Sequence, residues 1–147
     1  MPDDTAPAPD PVPIVRRFAI SLDQEDYEET RRCLDPDCVY SIRDATHRGP
    51  DAIIASYQGN GDWASEHIDR IEYESRVEAD GPEAALIVFF DHLTHGGKKL
   101  SHQCHQWCHV GPNGIDRIEH RDLPGEKEAL DAFKRENGLI KPDDASS

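Results

Sequence analysis

HIDRIEYESRVEADGPEAALIVFFDHLTHGGKKLSHQCHQWCHVGPNGIDRIEHRDL, residues 67–123, is the stretch whose reading decides the fold. DGPE at 80–83, GGKK at 96–99 and GPNG at 111–114 cut it into four runs of strand length, each cut at hairpin spacing. In the first run Ile71, Tyr73 and Val77 alternate with Glu72, Glu74 and Glu78, which makes one buried and one wet face. In the last, Ile118, His120 and Asp122 share a phase opposite to the charged Arg117, Glu119 and Arg121. The second run is apolar in both phases, as a central strand buried on both sides would be, so periodicity does not choose whether Asp91 or His92 faces inward. The whole stretch reads as a four-stranded antiparallel meander.

Helices lie on either side of it. Pro13, Ile14, Val15, Phe18, Ala19 and Leu22 form one stripe of a helix about ten residues long with proline in its first turn. Asp23 is placed to cap a second helix over QEDYEETRRCL, stopped by Pro36. CVYSIRD reads as a short strand and THRGP as a turn into a third helix carrying Ile53, Ile54 and Tyr57, which the two glycines of QGNGDW end. LPGEKEALDAFKRENG closes the domain as a helix. The class is α+β, with helices gathered on one face of an antiparallel sheet. Residues 1–12 read as a disordered, proline-rich leader, 13–138 as one domain, and 139–147 as a polar tail.

This order of elements resembles the nuclear transport factor 2-like superfamily, in particular its polyketide-cyclase-like members. PVPIVRRFAISLDQEDYEETRRCLDPDCVYSIRD, HRGPDAIIASY, HIDRIEYESRVEADGPEAALIVFF and GIDRIEHRDLPGE carry the resemblance. It implies a cone-shaped, strongly bent sheet whose pocket is covered by the N-terminal helices, and a homodimer formed through the sheet. Such diffuse patterns speak for fold before activity.

Thirty acidic against 16 basic residues give a net charge of −14, which excludes binding to nucleic acid or an anionic membrane through a general electrostatic field. The longest apolar run, AALIVFF, is far short of the roughly 20 residues of a membrane helix. The expected partner is a small molecule. Four cysteines without an export signal fit a reducing compartment, with the cytoplasm as the default.

HQCHQWCHV, residues 102–110, looks like a metal-ligand cluster, but on a strand it splits. His102, Cys104, Gln106 and Cys108 take one face and Gln103, His105, Trp107 and His109 the other. Cys104 and Cys108 are then about 13 Å apart, too far to bridge. A zinc site would need ligands from other strands, so no metal is assigned. The first set is read as packing, and the face of Trp107 and His105 as the pocket wall.

The resemblance directs catalysis to the last strand, where His120 would act as acid or base and Asp122 would orient it or serve as the base. His67, at the start of the meander, and His105 are auxiliary donors. Tyr40, Tyr57 and Trp63, with Trp107, Phe90 and His92, are the expected ligand-binding wall. The expected function is a small-molecule pocket protein, either a cofactor-free isomerase, dehydratase or cyclase or a non-catalytic binding module for an apolar ligand, with a zinc-binding protein as the third and lesser reading.

Overall fold

A computed structural model of the chain describes residues 10–139. Its helices are α1 (Pro11–Asp23), α2 (Tyr27–Arg32), α3 (Pro50–His67) and α4 (Glu126–Glu136). Its strands are β1 (Leu34–Ile42), β2 (Ala45–Arg48), β3 (Arg70–Ala79), β4 (Ala84–His95), β5 (Lys98–Gly111) and β6 (Gly114–Asp122). They form one open sheet in the order β2-β1-β6-β5-β4-β3, antiparallel except for the parallel pair β1–β6. The meander β3 to β6 is the one read from the sequence. The leader and tail lie mostly in 1–9 and 140–147, outside the described residues.

The first half differs more from expectation. α1 starts at Pro11, where the Asp10 carboxylate accepts from the Val12 N–H at 3.0 Å, and runs on through Asp23. Asp23 is therefore the end of one helix rather than the cap of the next. Glu25, at φ +57°, turns the corner, and Asp26 caps the six-residue α2 by accepting from the Glu29 N–H. Cys33 ends α2, and β1 begins at Leu34, with Pro36 lying where β1 and β6 shift register, a position that needs no ladder N–H. THRGP is not simply a turn: Ala45–Arg48 folds back as β2 on β1, with Arg43 at φ +49° in the hairpin.

α3 does not end at QGNGDW. It runs through those glycines to His67, 18 residues in all. Two internal glycines cost about 1 kcal/mol each in propensity, but burial of Ile53, Ile54 and Ala64 along the helix outweighs that. Gly61 also has a packing reason, since a Cβ there would lie 2.9 Å from Oε2 of Glu25 and 3.4 Å from the Tyr27 hydroxyl.

Register fixes the two faces. Facing the helices are Tyr73, Ser75 and Val77 of β3; Ala85, Ile87, Phe89 and Asp91 of β4; His102, Cys104, Gln106 and Cys108 of β5; Ile118, His120 and Asp122 of β6; and Tyr40 of β1. Ile87, Cys108, Ile118 and Tyr40 join Val15, Phe18 and Ile53 in the main core. A second cluster closes the far end, where Leu93 and Ile71 pack against Ala64, Ile68 and Trp63 of the α3 end and Phe133 and Leu130 of α4. Among the described residues no helix is long and apolar enough to cross a membrane.

Candidate functional site on the inner sheet face

A row of polar groups crosses the inner face between the two apolar clusters. Its middle is Gln106, 3 % exposed, whose carbonyl accepts from the Tyr57 hydroxyl at 2.5 Å. Its amide faces the Tyr40 hydroxyl at 3.0 Å and Nδ1 of His120 at 3.1 Å. Because the Gln106 amide is a donor, His120 must present a lone pair at Nδ1 and carry its proton on Nε2. That Nε2–H donates to Oδ1 of Asp122 at 2.8 Å. Arg43, from the β1–β2 hairpin, holds both oxygens of Asp122 at 2.9 Å. Burial pushes the His120 imidazole below its ordinary range, against the pull of Asp122. Burial would raise the Asp122 carboxyl, but the bonds from His120 and Arg43 hold it below the usual carboxylate range.

Beside this chain lies a pair left without such support. His102 is 6 % exposed, and neither of its ring nitrogens has a hydrogen-bond partner. Its Nδ1 lies 3.9 Å from Oδ2 of Asp91, beyond hydrogen-bond length. Burial lowers the His102 imidazole and keeps it neutral. Burial, and then the charge of Asp23, push the Asp91 carboxyl up to about 6. Yet 35 % of the Asp91 side chain is accessible, so this carboxyl is deep enough to be desolvated while bordering open space. Tyr57, Tyr73 and Phe89 also point inward and are only half-buried. Burial raises the Tyr57 hydroxyl far above its ordinary value and the Tyr73 hydroxyl to about 12, so both are donors at neutral pH.

The structure brings His120 and Asp122 together on the inner face, His120 buried with its side chain 6 % exposed and Asp122 at the exposed rim. Tyr40 and Tyr57 are also inside, their rings stacked 5.0 Å apart. Other expected site residues are elsewhere. Trp107 and His105 face outward, because the buried phase of β5 is the His102, Cys104, Gln106, Cys108 set, and Arg121 covers the indole at 5.9 Å. Phe90 and His92 also face outward, since β3 pairs His92 with the solvent-facing Glu72. His67 does not open a strand: it is the exposed last residue of α3, with Nδ1 2.8 Å from the Trp63 carbonyl and its ring stacked on that indole. Trp63 packs in the end cluster, under the Lys134 ammonium at 4.6 Å, not beside Tyr40.

Sequence reasoning missed Asp91, His102, Gln106 and Arg43 as site residues. One signal was present for the first: counting across the DGPE turn pairs Asp91 with Tyr73, on the inward phase of β3. All four cysteines are free thiols, and Cys108 is a core residue. Among the described residues no three His, Cys, Asp or Glu side chains gather around a metal-sized space.

An open curved sheet with helices on one face is the fold of solved nuclear transport factor 2-like proteins, as the sequence resemblance implied. Among solved structures, the chain is similar to a nuclear transport factor 2-like protein of unknown function from Burkholderia pseudomallei, with 16 % identity over 80 % of this chain and 94 % of that one, at a TM-score of 0.62. A candidate polyketide cyclase from Sinorhizobium meliloti is 20 % identical over 74 % of this chain and 94 % of its own, at 0.58. An LEH-like epoxide hydrolase from M. tuberculosis is 17 % identical over 78 % and 79 %, at 0.57. No family model and no curated protein matches the sequence.

Proposed function

We propose that the chain is a small-molecule enzyme that moves a proton without a cofactor, in an isomerase, dehydratase or cyclase reaction on a mainly apolar substrate. Asp91 is the base and His102 its partner. The observation that carries this reading is the unsatisfied pair itself: a neutral buried imidazole with both nitrogens open, 3.9 Å from a carboxyl raised to about 6. Burying such groups unpaired costs folding free energy, and pKa values moved toward neutrality are what proton transfer at pH 7 needs. Phe89, two residues from Asp91 on the same face of β4, supplies apolar wall beside them. His120, engaged at both nitrogens, and Asp122, held by Arg43, then position neighbouring groups instead of exchanging protons with substrate. Neighbours described as a candidate polyketide cyclase and an epoxide hydrolase fit such a site.

Self-association through the outer face belongs to the same reading, supported by the half-buried Leu86 and Trp107 lying opposite each other there.

The test is hydrogen–deuterium exchange at the α-carbon of a panel of small cyclic ketones in D2O, followed by NMR. Exchange is expected with the wild type and lost in Asp91→Asn. Saturable binding of the same ketones without exchange would instead assign a binding module.

A further inference from the structure

A second set of groups with nucleophile chemistry lies on the opposite, outer face and spans three strands. The Ser101 hydroxyl of β5 is 2.8 Å from Nδ1 of His92 on β4, and Nε2 of His92 is 2.6 Å from Oε1 of Glu74 on β3. A carboxylate accepts only, so Nε2 carries the imidazole proton, and Nδ1 is left as the acceptor for the serine hydroxyl. Serine, base and orienting carboxylate thus stand in the order that activates a serine, recognised by geometry rather than sequence position. The nitrogens are used in the reverse sense to the usual triad, which leaves the proton path unchanged.

Three further features support a reactive role. Ser101 is exposed, so an incoming carbonyl can reach it. The ring of Phe90 lies parallel to His92, 6.3 Å away, and limits its rotation. A concavity of about 420 Å³ is lined by His92 and Ser101 together with Arg70, Glu72, Thr94 and Lys99. Register places Arg70, Thr94 and Lys99 in the row next to Glu72, His92 and Ser101. Arg70 is paired with Glu72 at 3.2 Å, and Lys99 has no ion-pair partner among the described residues. The Lys99 ammonium is therefore the group available to a developing oxyanion. Ser101 is six residues from Trp107 on β5, about 20 Å along the strand, at the other end of this face from the apolar patch.

We propose that Ser101, His92 and Glu74 form a second, outward site that cleaves small carboxylic esters through an acyl-serine. The Ser101 oxygen bonds to the ester carbonyl carbon as its proton passes to Nδ1 of His92. The carbon–alkoxy bond breaks, and the alkoxide leaves as the alcohol with that proton. Water then gives a proton to His92, attacks the acyl carbon and releases the acid, and the proton returns to Ser101. Glu74 touches no reacting atom: it is a positioning residue that holds the imidazole and stabilises its charged form. The site shares no residue with the inner one.

The experiment is hydrolysis of p-nitrophenyl acetate by the full chain, with mass mapping of acetylated peptides under single-turnover conditions. Ser101→Ala and His92→Gln are each expected to lower kcat/KM by about 10²-fold, while Ser65→Ala, at an exposed helix position, leaves it unchanged. Glu74→Gln is expected to lower kcat with little change in KM. The acetyl group should be found on Ser101 in the wild type and accumulate there in the His92 variant if deacylation is slowed. A wild-type rate retained by Ser101→Ala, or acetyl found only on lysines, overturns the proposal. Both variants change surface side chains, and an unaltered far-ultraviolet spectrum separates lost chemistry from lost fold.

Discussion

His102 and Asp91 face each other across the inner sheet surface at 3.9 Å, too far to bond, with neither nitrogen of the histidine paired. The neighbouring row is satisfied: Gln106 bonds Tyr57, Tyr40 and His120, and Asp122 bonds His120 and Arg43. A buried imidazole left open beside a completed polar network is the observation on which the proposed proton-transfer site rests.

The Asp91 carboxyl has a folded-state pKa above its unfolded one, so the folded state binds the extra proton between about 4 and about 6. Its ionisation therefore removes stability as pH rises through that window. Asp91→Asn should raise Tm relative to wild type at pH 7.5, and the difference should vanish near pH 4. Thermal melts of the two proteins across that range check the sign. A variant less stable than wild type at pH 7.5 would contradict the burial of Asp91.

His102 works in the opposite direction. Its folded pKa is lowered by burial, so stability falls as pH drops below about 6.5 and the unfolded chain takes up the proton first. His102→Gln should flatten the acid limb of the stability curve. NMR titration of the His102 ring protons should show a midpoint below that of an ordinary imidazole.

Gln106→Leu keeps the volume and strands Tyr57, Tyr40 and Nδ1 of His120. Leaving buried groups unpaired costs about 1–3 kcal/mol each, so a loss of about 3 kcal/mol or more is expected in urea unfolding. The 15N shifts of His120 should report the Nε2–H tautomer in the wild type and a mixture in the variant.

The two glycines inside α3 should separate cleanly. Gly59 has nothing within 4 Å of an added Cβ, and Gly59→Ala is expected to stabilise by about 0.5–1 kcal/mol. Gly61→Ala should give no such gain, because its Cβ must displace the Glu25 carboxylate at 2.9 Å. Denaturant midpoints for the pair measure this directly.

Self-association through the outer face predicts that Trp107→Glu dissociates the dimer in sedimentation runs at micromolar concentration. Ketone exchange at the inner site should survive it. A wild-type protein that sediments as a monomer would remove that part of the reading.

Much of this molecule was legible in one dimension. The DGPE, GGKK and GPNG turns set four strands and their hairpin register, and the acid-lined phase of β3 set which side is wet. His120 and Asp122 were legible as an inward pair because β6 is charged on its other phase. Trp107 was misplaced because both phases of β5 carry polar and apolar groups, so alternation alone assigns its sets without saying which is buried.

By itself the sequence determined the class of fold, the meander and the membership of each strand face, since these follow from local periodicity and turn chemistry acting over a few residues. Only the tertiary structure decided which face of β5 lies under the helices. It alone brought Arg43 from one hairpin onto Asp122 79 residues away, and left His102 unpaired against Asp91. Hydrogen bonding and desolvation depend on distances between strands distant in the chain, and no local pattern encodes them.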